Sequence, residues 1–182
     1  MKSRLFFVYL QLVIAIFFMS KFTFNLVLPS WLAQWFINHY GGQLPVRLAK
    51  GSIESIIVQR FSMRKTDAES VDISSEGSVQ VEIPDSKTKP AASYCFIPDH
   101  AKKLIAKSIS DNFNMCLAED IVKPCFPVSL KKELIEAWLE HNNIEFNDTN
   151  YQGVEKRFDR LRKDMLNARR VRKARKKLQK FS

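Results

Sequence analysis

The chain begins with an apolar stretch that follows two positive residues. Lys2 and Arg4 precede residues 5–19, in which a single glutamine is the only polar member. A positive flank followed by an apolar run is typical of secretory signals and signal anchors. No pair of small residues suited to cleavage follows the run, and apolar sequence resumes at Phe22. The pattern therefore predicts an uncleaved signal anchor, a transmembrane helix over residues 1–28. Cleavage and release of a secreted protein is the weaker alternative.

Residues 29–42 have helical periodicity and are rich in aromatic side chains. Apolar residues share one helical face, polar residues line another, and a Gly-Gly pair ends the run. Trp31, Trp35 and Tyr40 belong to the residue types that concentrate at the headgroup level of membranes. The pattern predicts an interfacial amphipathic helix with these three side chains at the membrane interface. The alternative is a first core helix of the soluble domain.

Residues 43–95 are predicted to form a β-rich subdomain. Apolar and polar residues alternate with a period near two in residues 53–61 and again in residues 79–83, which indicates strands. Turn-forming residues separate these segments. We expect an antiparallel meander of three or four strands, followed by a polar surface loop over residues 84–92.

The spacing of apolar residues becomes helical in residues 98–182. Three apolar stripes recur at intervals of three and four residues, which predicts three helices, the third packing on the second as a hairpin. The stripe residues are Ala101, Leu104, Ile105 and Ile109, then Leu130, Leu134, Ile135, Trp138 and Leu139, then Val154, Phe158, Leu161, Met165 and Ala168. Arg172 takes the next position on the third stripe, so we expect a basic tail, residues 169–182, to project from the domain. The predicted fold class is α+β: an N-terminal membrane helix, a small antiparallel β meander, and a helical region with a long basic C-terminal helix.

The net charge of +10 is confined to one segment of the chain. Residues 155–182 contain thirteen Lys and Arg against three acidic residues, so the remaining residues are neutral as a group. Such a segment attracts polyanions, and we expect it to contact an acidic protein face, anionic lipid or a cell-wall polymer. Nucleic acid is a weaker candidate partner, because Phe181 is the only aromatic residue of the tail available for stacking on bases. The candidate binding residues are Arg169, Arg170, Arg172, Lys173, Arg175, Lys176 and Lys177.

Three cysteines, Cys95, Cys116 and Cys125, allow one internal disulfide at most. The spacing of Cys116 and Cys125 suits a short disulfide loop if the domain lies in an oxidising compartment. The alternative is that all three cysteines are buried and reduced.

Motifs that carry chemistry are not recognisable in the sequence. His39, His100 and His141 lie at no metal-ligand spacing, and no phosphate-binding loop, nucleophile elbow or C-x-x-C motif occurs. We therefore expect no enzymatic activity, no cofactor and no metal site.

The charges that flank the apolar run predict how the chain is oriented. Lys2 and Arg4 place the N-terminus in the cytoplasm and the C-terminal domain outside it, at the inner membrane if the source is bacterial. The leading hypothesis is a non-enzymatic single-pass membrane protein whose extracytoplasmic domain is an interaction or assembly component of an envelope or secretion-type complex. The alternative is a membrane-tethered binding module of opposite orientation, with a cytoplasmic basic tail that binds nucleic acid or anionic lipid.

Overall fold

A computed structural model describes residues 22–64, 78–124 and 127–178. These residues are mostly helical and contain a two-stranded antiparallel sheet. In chain order the elements are β1 (Thr23–Val27), α1 (Ser30–His39), α2 (Ile53–Phe61), β2 (Ser78–Glu82), α3 (Asp99–Leu117), a π-helical turn (Ala118–Val122), a 3-10 turn (Val128–Leu130), α4 (Lys131–His141) and α5 (Asp148–Leu178).

The sheet consists of β1, which precedes α1, and β2, which lies between α2 and α3. β1 and β2 pair antiparallel, with Phe24 opposite Val81 and Leu26 opposite Val79. These four side chains are buried, and their neighbours along each strand are more exposed. One face of the sheet therefore covers the helical core, as expected for a period of two. A strand is present where alternation predicted one in residues 79–83.

The predicted membrane helix is wrong over its last residues. Residues 1–21, which hold most of the predicted anchor, lie outside the described residues. Residues 23–27 form β1, because the buried Phe24 and Leu26 alternate with the more exposed Thr23 and Asn25. Across the described ranges, no helix combines the length and the apolar content needed to cross a bilayer.

The predicted β meander is wrong at Ile53–Phe61, which forms helix α2. Ser52 caps the first turn by accepting a hydrogen bond from Ser55 N–H at 3.1 Å. Glu54 and Val58 lie one turn apart and are both buried, which is helical periodicity. The β-branched residues of this segment favour a strand, but the cap and the packing of α2 on α3 outweigh that preference. The predicted β-rich subdomain therefore contributes a single strand to the sheet within its described residues.

α1 is a core helix. Trp31 and Trp35 are 7% and 2% exposed, and the centres of their rings lie 4.7 and 5.4 Å from the ring centre of Phe113 on α3. A helix is thus present within residues 29–42, but the structure corrects the position of both tryptophans from a membrane interface to the core. Each indole buries a large apolar area against other helices, so neither is available to a lipid surface in this fold.

The three helices predicted after residue 98 are present as α3, α4 and α5. Their stripes supply much of the core, and the buried members are Ala101, Ile105, Ile109, Ile135, Trp138, Leu139, Val154 and Phe158. Leu104 and Leu130, at the edges of two stripes, are 43% and 45% exposed. The first part of α5 contacts α1, α3 and α4, so this helix is docked on three sides.

Candidate functional site

The second half of α5 leaves the core as a continuous helix. Packing continues through Met165, which is partly buried, whereas every side chain from Leu166 to Lys173 is exposed. We call residues 166–178 the α5 extension. At about 1.5 Å per residue, the extension reaches roughly 20 Å from the point where packing ends. The apolar stripe therefore stops before Ala168, one turn earlier than the spacing predicts.

The α5 extension carries the predicted binding residues. Those whose side chains the structure describes are exposed: Arg169, Arg170, Arg172 and Lys173. Arg175, Lys176 and Lys177 follow on the same helical backbone, and their side chains lie outside the described part. Residues three and four apart stand one above the other on a helix, so the cations fall on adjoining faces of the extension. The sequence prediction of a projecting basic helix thus agrees with the course of the α5 backbone.

An ion-pair cluster holds α5 against α4. Lys131 Nζ lies 2.9 Å from Glu155 Oε1 and 2.8 Å from Asp159 Oδ2. Burial alone would lower the pKa of the Lys131 ammonium, but the hydrogen bonds and charges of Asp159 and Glu155 outweigh burial and raise its pKa. Two of the acidic residues inside the basic segment therefore dock the helix.

α5 packs closely against α1 at Gly153. A Cβ atom at this position would overlap Cδ1 and Nε1 of Trp31. The guanidinium carbon of Arg157, one turn further along α5, lies 5.7 Å from the centre of the Trp31 ring. Phe113 packs on the same indole at 4.7 Å between ring centres, so Trp31 has little room to move. This contact is therefore one of those that fix the docked half of α5.

The polar face of α1 fixes the loop before α5. Gln34 Oε1 accepts a hydrogen bond from Glu145 N–H at 2.6 Å, and Asn38 Nδ2 donates to Asn143 O at 2.9 Å. Asn150, which is fully buried, donates from Nδ2 to Glu145 O at 2.8 Å. Side chains thus satisfy backbone groups of a loop that the core partly covers. The amphipathic pattern of α1 reflects contact with this loop on its polar side.

A buried carboxylate lies where the end of α1 meets α2 and α3. Glu54 is 1% exposed. Its Oε1 accepts hydrogen bonds from Ser108 Oγ at 2.7 Å and Asn112 Nδ2 at 3.0 Å, and its Oε2 accepts from Tyr40 OH at 3.1 Å. Burial, followed by the nearby Glu54 carboxylate, raises the pKa of Tyr40 to about 12. Tyr40, predicted to lie at a membrane interface, is instead part of this internal polar cluster.

The chemistry open to the Glu54 cluster follows from its burial. Solvent does not reach the Glu54 carboxylate, and three neutral donors satisfy it. Such an arrangement offsets the cost of burying the group and ties three segments together. We therefore interpret the cluster as a structural contact between α1, α2 and α3.

Two of the three histidines, His39 and His100, pack against aromatic rings. The ring centre of His39 lies 4.6 Å from that of Trp35 in a stacked arrangement, and His100 meets Phe61 edge-on at 5.2 Å. Among the described residues, no group of three His, Cys, Asp or Glu side chains is placed to hold a metal ion.

The two cysteines of the described ranges, Cys95 and Cys116, are not bonded to each other. Cys95 and Cys116 are both partly buried. Burial, followed by the charges of Asp120 and Glu119, raises the pKa of the Cys116 thiol. Cys125 lies outside the described residues, so its disulfide with Cys116 stays a prediction.

Comparison with known proteins leaves function to be inferred from the molecule itself. No protein-family model, no curated protein and no solved structure matches the chain. The α5 extension presents an exposed run of cations on a helix whose first half is docked, and it is therefore our candidate functional site.

Proposed function

We propose that the chain is a non-enzymatic single-pass membrane protein whose extracytoplasmic domain is an assembly component of an envelope or secretion-type complex. The α5 extension is its contact surface for an acidic partner. The observation that carries this proposal is the exposure of every side chain from Leu166 to Lys173, on a helix whose other half is docked on three neighbours.

The extension is costly to maintain in an isolated domain. The docked half of α5 nucleates the extension, but most helical stability in proteins comes from the packing of an apolar face, of which this exposed segment gains little. Its cations also stand three and four residues apart, where like charges repel. An anionic partner offsets both costs, because it neutralises the charge and gives the helix a surface to pack on. The energetics therefore support a binding role for the extension.

The flanking charges support the orientation in this proposal. Lys2 and Arg4 precede the apolar run, which favours a cytoplasmic N-terminus. β1 begins at Thr23, so the folded domain starts a few residues after the apolar run of residues 5–19. Cations far from a membrane span count little toward orientation, so the basic extension does not oppose this arrangement.

The binding role predicts that charge on the extension, rather than charge in general, captures an acidic partner. The test variant replaces with glutamine Arg169, Arg170, Arg172 and Lys173. The control variant replaces with glutamine four exposed lysines outside α5, namely Lys50, Lys87, Lys103 and Lys107. Both variants lose four positive charges, so their net charge is the same and they differ in the positions of the lost charges.

We expect the full chain in detergent to bind fluorescent poly-glutamate. The test variant should bind at least about tenfold more weakly, because each Lys or Arg near an anionic surface contributes on the order of 1 kcal/mol to the binding free energy. The control variant should bind nearly as well as the unmodified chain. Fluorescence anisotropy at several NaCl concentrations measures both affinity and its salt dependence. Equal weakening in the two variants would contradict a binding role for the extension.

A second candidate function is a membrane-tethered module whose cytoplasmic extension binds nucleic acid or anionic lipid. The distribution of cations over adjoining faces favours it, because phosphate contacts need charge and no base readout. Reporter fusions placed after residue 182 separate the two functions. A reporter that works only after translocation should be active under the first proposal, and activity of a cytoplasmic reporter alone would favour the second.

A further inference from the structure

A shallow groove lies on the face of α4 that points away from the core. Its volume is about 590 Å³, and we call it the α4 groove. The groove is lined by Glu133, Glu136, Ala137, Glu140, Ile144 and Phe146. Ala137 is exposed, and Phe146 is 60% exposed although it is a large apolar side chain. The α4 groove therefore has an apolar floor that is open to solvent and an acidic rim.

The acidic residues of the groove form a regular ladder. Glu133, Glu136 and Glu140 follow one another at intervals of three and four residues, so they stand on one side of α4 over roughly 10 Å. Glu136 Oε1 lies 3.8 Å from Lys132 Nζ. Within the part of the chain that the structure describes, neither Glu133 nor Glu140 forms an ion pair. The ladder thus has negative charge that is not neutralised locally.

One face of the α5 extension has matching spacing and opposite charge. Arg170 and Lys173 are three residues apart, and Lys177 is the next residue at helical spacing, which repeats the intervals of the glutamate ladder. Leu166 precedes Arg170 by one turn and is 43% exposed. This face therefore offers an apolar side chain followed by cations, as the groove offers an apolar floor beside acids.

The extension of a given copy is not placed to reach its own groove. Lys131, at the start of α4, contacts Asp159, so α4 lies beside the first half of α5. Leu166 lies about seven residues, or roughly 10 Å, further along the same helix. Because α5 is continuous to Leu178, the extension points away from the groove of its own copy.

We propose that the α4 groove binds the α5 extension of a second copy of this chain. Arg170 and Lys173 face the glutamate ladder, and Leu166 packs on Ala137 and Phe146. This inference rests on the proposed function, in which the extension is a contact surface, and it names the partner. Groove and extension are different surfaces, so the contact is head to tail and each copy can bind two neighbours.

Charge reversal tests the pairing. The groove variant carries Glu133→Lys and Glu140→Lys, and the extension variant carries Arg170→Glu and Lys173→Glu. A matched control carries Asp111→Lys and Glu119→Lys, two exposed acidic positions outside the groove. All positions are exposed, and thermal unfolding of each variant checks that the fold is retained.

We expect the full chain in detergent to associate in a concentration-dependent way at low salt, as measured by analytical ultracentrifugation. The groove variant and the extension variant should each require at least about tenfold more protein to associate, and the control should behave as the unmodified chain. Mixing the two reversed variants should restore association, because the acidic side chains introduced at positions 170 and 173 of one variant then face the basic side chains introduced at positions 133 and 140 of the other. Restoration by mixing is the result that a general effect of net charge does not produce.

Three results would overturn the inference. The first is that the unmodified chain remains monomeric at every salt and protein concentration. The second is that the groove variant associates as the unmodified chain does, and the third is that the mixture fails to associate. If any of these occurs while the four-site glutamine variant loses poly-glutamate binding, the second copy is the wrong partner and the proposed function stands. If the glutamine variant also keeps its binding, the proposed function fails as well.

Discussion

The contact between Gly153 and Trp31 leaves no space for a side chain. Gly153→Ala raises helix propensity by about 1 kcal/mol, which by itself would stabilise α5. The added methyl overlaps an indole already held by Phe113 and Arg157, and such overpacking costs about 1–3 kcal/mol. We therefore expect the variant to be less stable.

Denaturant unfolding of the full chain in detergent measures the effect of Gly153→Ala on the free energy of unfolding. Asn167→Ala, at an exposed position on the same helix, is the control and should be neutral or slightly stabilising. An equal gain in stability for both variants would show that Trp31 moves aside without cost.

The hydroxyl of Tyr40 makes stability depend on pH at the alkaline end. Its pKa is 10.0 in an ordinary setting and about 12 in the fold, because burial and the Glu54 carboxylate disfavour the phenolate. The stabilisation is fully present below pH 10 and is lost as pH rises toward 12, since the unfolded chain ionises first. Tyr40→Phe should remove this part of the alkaline loss. Unfolding free energies of both chains at pH 9 to 12 measure it, and parallel curves would contradict the assignment.

At the scale of single elements, α5 combines a docked half with an exposed half. We expect amides of residues 151–165 to be protected from hydrogen exchange and amides of the α5 extension to exchange faster, because every side chain from Leu166 to Lys173 is exposed. Adding poly-glutamate to dilute protein should slow exchange in the extension and leave residues 151–165 unchanged. Mass spectrometry of peptides from both halves measures this difference. Full protection of the extension in dilute, partner-free protein would contradict it.

The elements that could be predicted from sequence are those with a strong and uninterrupted stripe. α3, α4 and α5 are such elements, since their buried residues recur at three and four over two or more turns. In α2, Ile53, Ile56 and Ile57 favour a strand, and the helical cap at Ser52 is a weaker signal in the sequence. β1 was hidden within apolar sequence, where a period of two is hard to separate from general hydrophobicity.

The site could be predicted in part for the same reason. The cations of the extension can be recognised in the sequence. A long run of basic residues is expected to be exposed whatever the arrangement of the other helices. The Glu54 cluster was missed, because Tyr40, Ser108 and Asn112 come from distant parts of the chain and meet only in the fold. The α4 groove was missed likewise, since Phe146 joins the helix face through a loop.

At the scale of the whole molecule, α1 connects the core, the loop before α5 and the Glu54 cluster. Its apolar face carries Trp31 and Trp35 into the core, and its polar face holds the loop before α5 through Gln34 and Asn38. The end of α1 reaches the Glu54 cluster through Tyr40. A short helix predicted to lie on a membrane thus organises the position of the contact surface.

The unbroken course of α5 also makes it a lever. Ion pairs with Lys131 hold the docked half to α4, and a few residues earlier Gly153 contacts Trp31. A molecule that pulls sideways on the α5 extension exerts a torque on the docked half, because the helix continues between the two halves without a break. A sideways force on the extension would therefore reach the contact between Gly153 and Trp31 in the core.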